Sequence, residues 1–196
     1  MTNVMTRQMA TDKWLREAGP EPWMLPRDVQ HKVPRHLVIR LTAKFGRIED
    51  VMRHHIDVVR EHGAVWLGKA GRYMSSGNIT RLNEQITDGV PTWLYMAGLI
   101  DEGFTKSKLG HLVYRGRVES IVSDISDIER QLVPQYYFPD IVKTISVWIK
   151  LSHIENRKQS ELGNLHVAAS GQTISEMMFR TRTSLILARE GKGINW

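Results

Sequence analysis

Hydrophobic and polar positions change their period several times along this chain, and each change marks an element. From Ile48 to His62 the residues Ile48, Val51, Met52, His55, Ile56 and Val59 recur at helical spacing, and Gly63 follows where a left-handed stop belongs. The next stretch, residues 64–72, switches to alternation and runs into a glycine turn. Ala64, Trp66 and Gly68 point to one face of this strand and Val65, Leu67 and Lys69 to the other. A tryptophan between Ala and Gly has room beside its ring, which either fills a core or lines a pocket for something flat. His36–Leu41 also reads as a strand. Ser75–Asn78 opens a short helix over 79–87 that Asp88-Gly89 ends. Residues 90–96 form a strand with Trp93 and Tyr95 on one face, and 98–108 a loop. In the strongly β-like segment 109–121, Val113, Arg115 and Arg117 alternate with Leu112, Tyr114, Gly116 and Val118. Gly116 in mid-strand predicts a bulge or a close backbone approach.

Further on, Asp124–Leu132 is a polar helix or turn. Residues 145–151 form a strand with Val147, Ile149 and Leu151 on one side and Trp148 and Lys150 on the other. A polar connection over 152–162 leads to a short strand at 164–168. Thr173-Ile174-Ser175-Glu176 is a capping box for a helix to about Arg180, and 184–189 is a last strand. Strands with short helices between them predict an α+β fold.

Residues 1–34 differ from the rest. Thr6–Ala18 reads as a helix stopped by Gly19-Pro20, and Pro20, Pro22, Pro26 and Pro34 make the following stretch an arm, with Trp14 and Trp23 as docking anchors. Residues 35–196 then form a single α+β domain, a normal size for one hydrophobic core. Lys and Arg (27) exceed Asp and Glu (21), giving a net charge of +6, which favours an anionic partner. The absence of cysteine removes disulfides, thiolate metal sites and Cys nucleophiles. No apolar run has the length of a membrane span and no secretory signal opens the chain, so a cytoplasmic location without a membrane partner is expected.

The catalytic inventory is thin. No nucleophile elbow, Walker loop or dinucleotide fingerprint occurs, and Gly68-Lys69-Ala70-Gly71 lacks the spacing of a phosphate loop. No cofactor is implied. Pro139-Asp140 with Lys150 suggests a PD-(D/E)xK nuclease, but Trp148 stands where its second acid belongs. Adjacent His54 and His55 diverge on a helix, which suits structural or surface roles better than a metal. The positive signal is aromatics interleaved with cations on strands: Trp66 with Lys69 and Arg72, Trp93 with Tyr95, Tyr114 with Arg115 and Arg117, Trp148 with Lys150. Aromatic faces stack on bases for about 1–3 kcal/mol each, while Lys and Arg hold phosphates. Tyr136, Tyr137 and Phe138 between two prolines cannot all face a core, and they form a second candidate surface, for a protein partner.

Val65-Trp66-Leu67-Gly68-Lys69-Ala70-Gly71 resembles the opening strand of the EVE and YTH branch of the PUA-like superfamily, Tyr-Trp-Leu-x-Lys-Ser-Glu-Pro, with Trp66, Leu67 and Lys69 matching. Val65, Ala70 and Gly71 depart from it. Trp148-Ile149-Lys150-Leu151 is similar to a Trp-Phe-Lys-Leu strand of some members. The resemblance, over residues 60–189, implies a compact mixed β-barrel and a pocket that takes a flipped-out, often methylated base between aromatic walls. Such domains occur alone and in modification-dependent restriction systems. The expected function is therefore non-catalytic binding of DNA or RNA, with Trp66, Trp93, Tyr95 and Trp148 around a base and Lys69, Arg72, Arg115 and Arg117 on the backbone. The alternatives are a protein-interaction module in phage defence or its inhibition, and a nucleotide-acting enzyme whose catalytic residues are not evident.

Overall fold

The computed structural model describes residues 33–41, 47–71, 74–99, 111–180 and 185–191. Among them the alternating segments become strands and the periodic ones helices, an α+β arrangement. In chain order they are β1 (His36–Leu41), α1 (Ile48–His62), β2 (Val65–Ala70), α2 (Ser76–Thr87), β3 (Trp93–Leu99) and β4 (His111–Val122). After them come β5 (Ile145–Arg157), β6 (Leu165–Val167), α3 (Ile174–Arg180) and β7 (Leu185–Glu190). The expected helix at 6–18, with Trp14 and Trp23, lies outside the described residues, as do Arg72 and most of the loop before β4.

The strands form one seven-stranded sheet in the order β2-β5-β4-β3-β1-β7-β6. Only β1 and β3 run parallel; every other pair is antiparallel. Among the described residues the sheet is open, with β2 and β6 at its edges, so the closed barrel that the resemblance implied is not formed. One edge strand is only three residues long, and the other is partly capped by a side chain described below.

Strand alternation divides the core. Leu37 and Ile39 of β1, Val65 and Leu67 of β2, Leu94 and Met96 of β3, and Val147, Ile149 and Leu151 of β5 pack with Ile48 and Met52 of α1 and Leu82 of α2. On the opposite face two separate clusters form. One joins Val38, Tyr95, Ala97, Val113, Ile186 and Ala188 to Leu162, Leu165 and Ile174. The other joins Trp66 and Trp148 to Leu132, Val133 and Tyr137 from the segment between β4 and β5, which is built of short 3-10 turns.

Helix α1 obeys its sequence signals. Glu49 and Asp50 sit in the first turn, Arg60 and His62 in the last, and Gly63 closes it at φ 79° with its N–H on the Val59 carbonyl. The helix lies so close to β3 that a Cβ on Gly98 would come within 2.5 Å of Ile48 Cδ1 and 2.9 Å of its Cγ2. Gly98→Ala is therefore expected to destabilise the fold by about 1–3 kcal/mol through overpacking. Urea unfolding checks this, and an unchanged midpoint would mean that α1 shifts without cost.

Several boundaries differ from the sequence reading, and β3 is shifted from residues 90–96 to Trp93–Leu99. Helix α2 starts at Ser76, because Ser75 already has the extended backbone of an N-cap, φ −62° and ψ 144°. Strand β5 runs on to Arg157 through residues that read as a polar connection. The long β4 supplies it with a partner: Arg115 stands opposite Glu155 and Val113 opposite Arg157. Between them the register shifts at Gly116/Arg117, as the mid-strand glycine suggested, and β5 takes up its extra residue at His153, φ 50°.

Candidate functional site

Trp66 and Trp148 lie on the same sheet face, because β2 and β5 pair with Gly68 opposite Trp148, and both are covered. Gly68 stands opposite Trp148, and a Cβ at Gly68 would come within 2.9 Å of both Trp148 Cζ3 and Ile145 Cγ1. The space that the small residue leaves is thus filled by the neighbouring strand. Leu132, Val133 and Tyr137 close over the pair, leaving Trp66 2% and Trp148 1% exposed. The indole Nε1 of Trp66 donates to Glu129 at 2.7 Å, and Lys150 Nζ donates to the other oxygen of that carboxylate at 2.5 Å. Lys150, and to a smaller extent Trp66, hold the Glu129 carboxyl below its usual range. The expectation that Trp66 and Trp148 wall a base is corrected on this point: neither ring offers a free face.

Tyr137 does more than cover the tryptophans. Its hydroxyl accepts the Gly68 N–H at 3.0 Å on the outer edge of β2, where no further strand would satisfy it. It also lies 3.3 Å from the Gly68 carbonyl and 3.4 Å from His55 Nε2. His55 Nδ1 is bonded to the Val51 carbonyl at 2.9 Å, so Nε2 is the acceptor. Burial drives the His55 pKa down to about 4. His54 next to it is exposed, as the helical geometry requires. The aromatic triplet does not stand out as one patch. Tyr137 is core, Tyr136 stacks on it at 4.4 Å, and half-buried Phe138 has the Arg130 guanidinium 4.8 Å above its ring.

Trp93 and Tyr95 belong to the other cluster on that face, so the four aromatic rings proposed for one ligand are divided between two places. Here a polar row crosses the sheet. Glu155 on β5 accepts from Arg115 on β4 at 3.0 and 2.5 Å, and Arg115 lies 4.3 Å above the Trp93 ring. Arg115 also bonds the hydroxyl of buried Tyr95, and the T-shaped contact of Tyr95 with His36 continues the row to β1. His36 receives the Trp93 N–H on Nδ1 at 3.4 Å and faces Glu190 at 3.5 Å. Trp93 is only half-buried. Arg117 is half-exposed, 3.7 Å from Glu119.

Lys69 is the cation that stands apart. It shares the helix-side face with Leu67, and its ammonium folds back to donate to the Ala70 carbonyl. No carboxylate pairs with it among the described residues. Burial, and then the nearby charge of Arg40, lower its pKa.

No group of three His, Asp or Glu side chains among the described residues could hold a metal ion. No described helix is long and apolar enough to cross a membrane. No family model, curated protein or solved structure matches the chain. The sequence reading named Trp93, Tyr95, Arg115 and Lys69 as candidates. It missed His36, Glu129 and Glu155, whose partners lie far away in the chain and leave no local spacing to read.

Proposed function

We propose that this chain is a non-catalytic nucleic-acid-binding domain that grips a phosphate at Lys69 and offers Trp93, on the opposite face of the sheet, as a separate stacking position. The observation that carries the reading is the half-buried Lys69 ammonium, which has no carboxylate partner among the described residues and lies near a second cation, Arg40. A desolvated cation left without its own acid favours an anion from outside. Trp93 is the aromatic of the expected set that keeps an accessible part, although Arg115, itself paired with Glu155, lies against one face of its ring. A flipped or modified base would have to be met there, since Trp66 and Trp148 are covered. The PUA-like fold remains part of the proposal.

The test is titration of single-stranded, duplex and base-modified oligonucleotides at two salt concentrations. Lys69→Gln is expected to weaken every sequence about equally and to reduce the salt slope by about one unit. Binding by this variant with wild-type affinity and slope would remove the phosphate role.

A further inference from the structure

Three arginines converge at the end of the molecule where β1 begins, and local geometry brings them there. The Arg35 backbone is clamped to α2 by Gln85, whose side chain accepts the Arg35 N–H and donates to its carbonyl, both at 2.8 Å. Arg81 lies one helical turn before Gln85, hence on the same side of α2. Continuing the β1–β7 register one step beyond His36 and Ala188 sets Arg35 opposite Arg189. Arg189 is 3% exposed and donates to the Ala168 carbonyl.

No carboxylate among the described residues pairs with Arg35 or Arg81. The Arg35 Nε is buried without an acceptor. Burial first, then the charges of Arg81 and Arg189, push the Arg35 pKa down, in keeping with the placement that the clamp and the register give. Like charges held together by a Gln clamp and strand pairing form a cradle with planar donors, the arrangement that suits a tetrahedral oxyanion.

We infer that Arg35 and Arg81, beside the buried Arg189, form an oxyanion site, distinct from Lys69, that takes a phosphate group. The group can come from a free phosphate or nucleotide or from a nucleic-acid backbone.

The test uses the full chain carrying Lys69→Gln, so that the Lys69 position does not contribute. Thermal unfolding is followed with inorganic phosphate, with a nucleoside monophosphate, and with a single-stranded oligonucleotide lacking terminal phosphates, each against chloride at equal ionic strength. Phosphate is expected to raise Tm with a saturable dose response. Adding Arg81→Gln should weaken that response about tenfold or more, as loss of a charged donor does. Without any oxyanion the same change should leave Tm equal or higher, because it removes a repulsion. Arg81→Lys, which keeps the charge but loses the fork, should fall between. Protection by the oligonucleotide alone would assign the site to backbone phosphates, and protection by the small anions alone to free phosphate. No protection beyond chloride by any of the three, or equal protection with and without Arg81→Gln, overturns the site. So does a lower Tm for Arg81→Gln in chloride, since the cluster would then already be neutralised within the chain.

Discussion

Trp66→Ala is expected to lower the unfolding free energy by about 3–5 kcal/mol, the cost of emptying a large buried aromatic position. It should leave the oligonucleotide affinity of the remaining folded protein unchanged. Removing the ring opens a void against Trp148, Leu132 and Val133 and takes away the indole N–H that Glu129 accepts. Trp66→Phe should recover most of the packing but not that bond. Its remaining deficit should be about 1–3 kcal/mol, the range for a hydrogen bond to a partly buried charged group. Denaturant unfolding gives the stability term, and titration at a temperature where each variant is folded gives the affinity term. A Trp66→Ala protein that unfolds like wild type but loses binding would return the ring to a ligand site and require the segment between β4 and β5 to lift away.

Acid is expected to weaken the fold before the carboxylates titrate. His55 has an ordinary pKa of 6.5 and about 4 when buried in the folded chain. The unfolded chain therefore takes up a proton that the folded one refuses. The stabilisation is complete above pH 6.5 and is lost as the pH falls towards 4. By linkage the loss is about 3 kcal/mol. His36, also lowered by burial, acts in the same direction. Glu129 and Glu155 are lowered by Lys150 and Arg115 respectively, so their contribution is lost as the pH falls from the usual carboxylate range through their lowered pKa values. Urea midpoints at several pH values check this. His55→Gln should flatten the curve between pH 6.5 and 4, and an unchanged slope in that variant would assign the acid sensitivity to other groups.

Where a signal was local, the sequence was sufficient by itself. The stripe on α1 and the stop at Gly63 depend on spacing within a few residues. So do the opposite faces of Trp66 and Leu67, and of Trp148 and Ile149. Side chains follow backbone period whatever surrounds them. The glycine at 116 likewise announced an irregularity, because a strand position without a side chain tolerates one.

Tertiary structure decided whatever depended on a partner remote in the chain. The room beside Trp66 was legible, but not that Trp148 and Tyr137 fill it. Residues 152–157 look like a connection by composition and become strand because β4 extends beside them. Arg115 resembles a free phosphate contact until Glu155 is brought up to it, as Glu129 is to Lys150, whereas Lys69 has no acid among the described residues. Arg35, Arg81 and Arg189 carry no motif at all. Strand register, one helical turn and a glutamine clamp collect them, because pairing and packing act through space and sequence periodicity reports only neighbours along the chain.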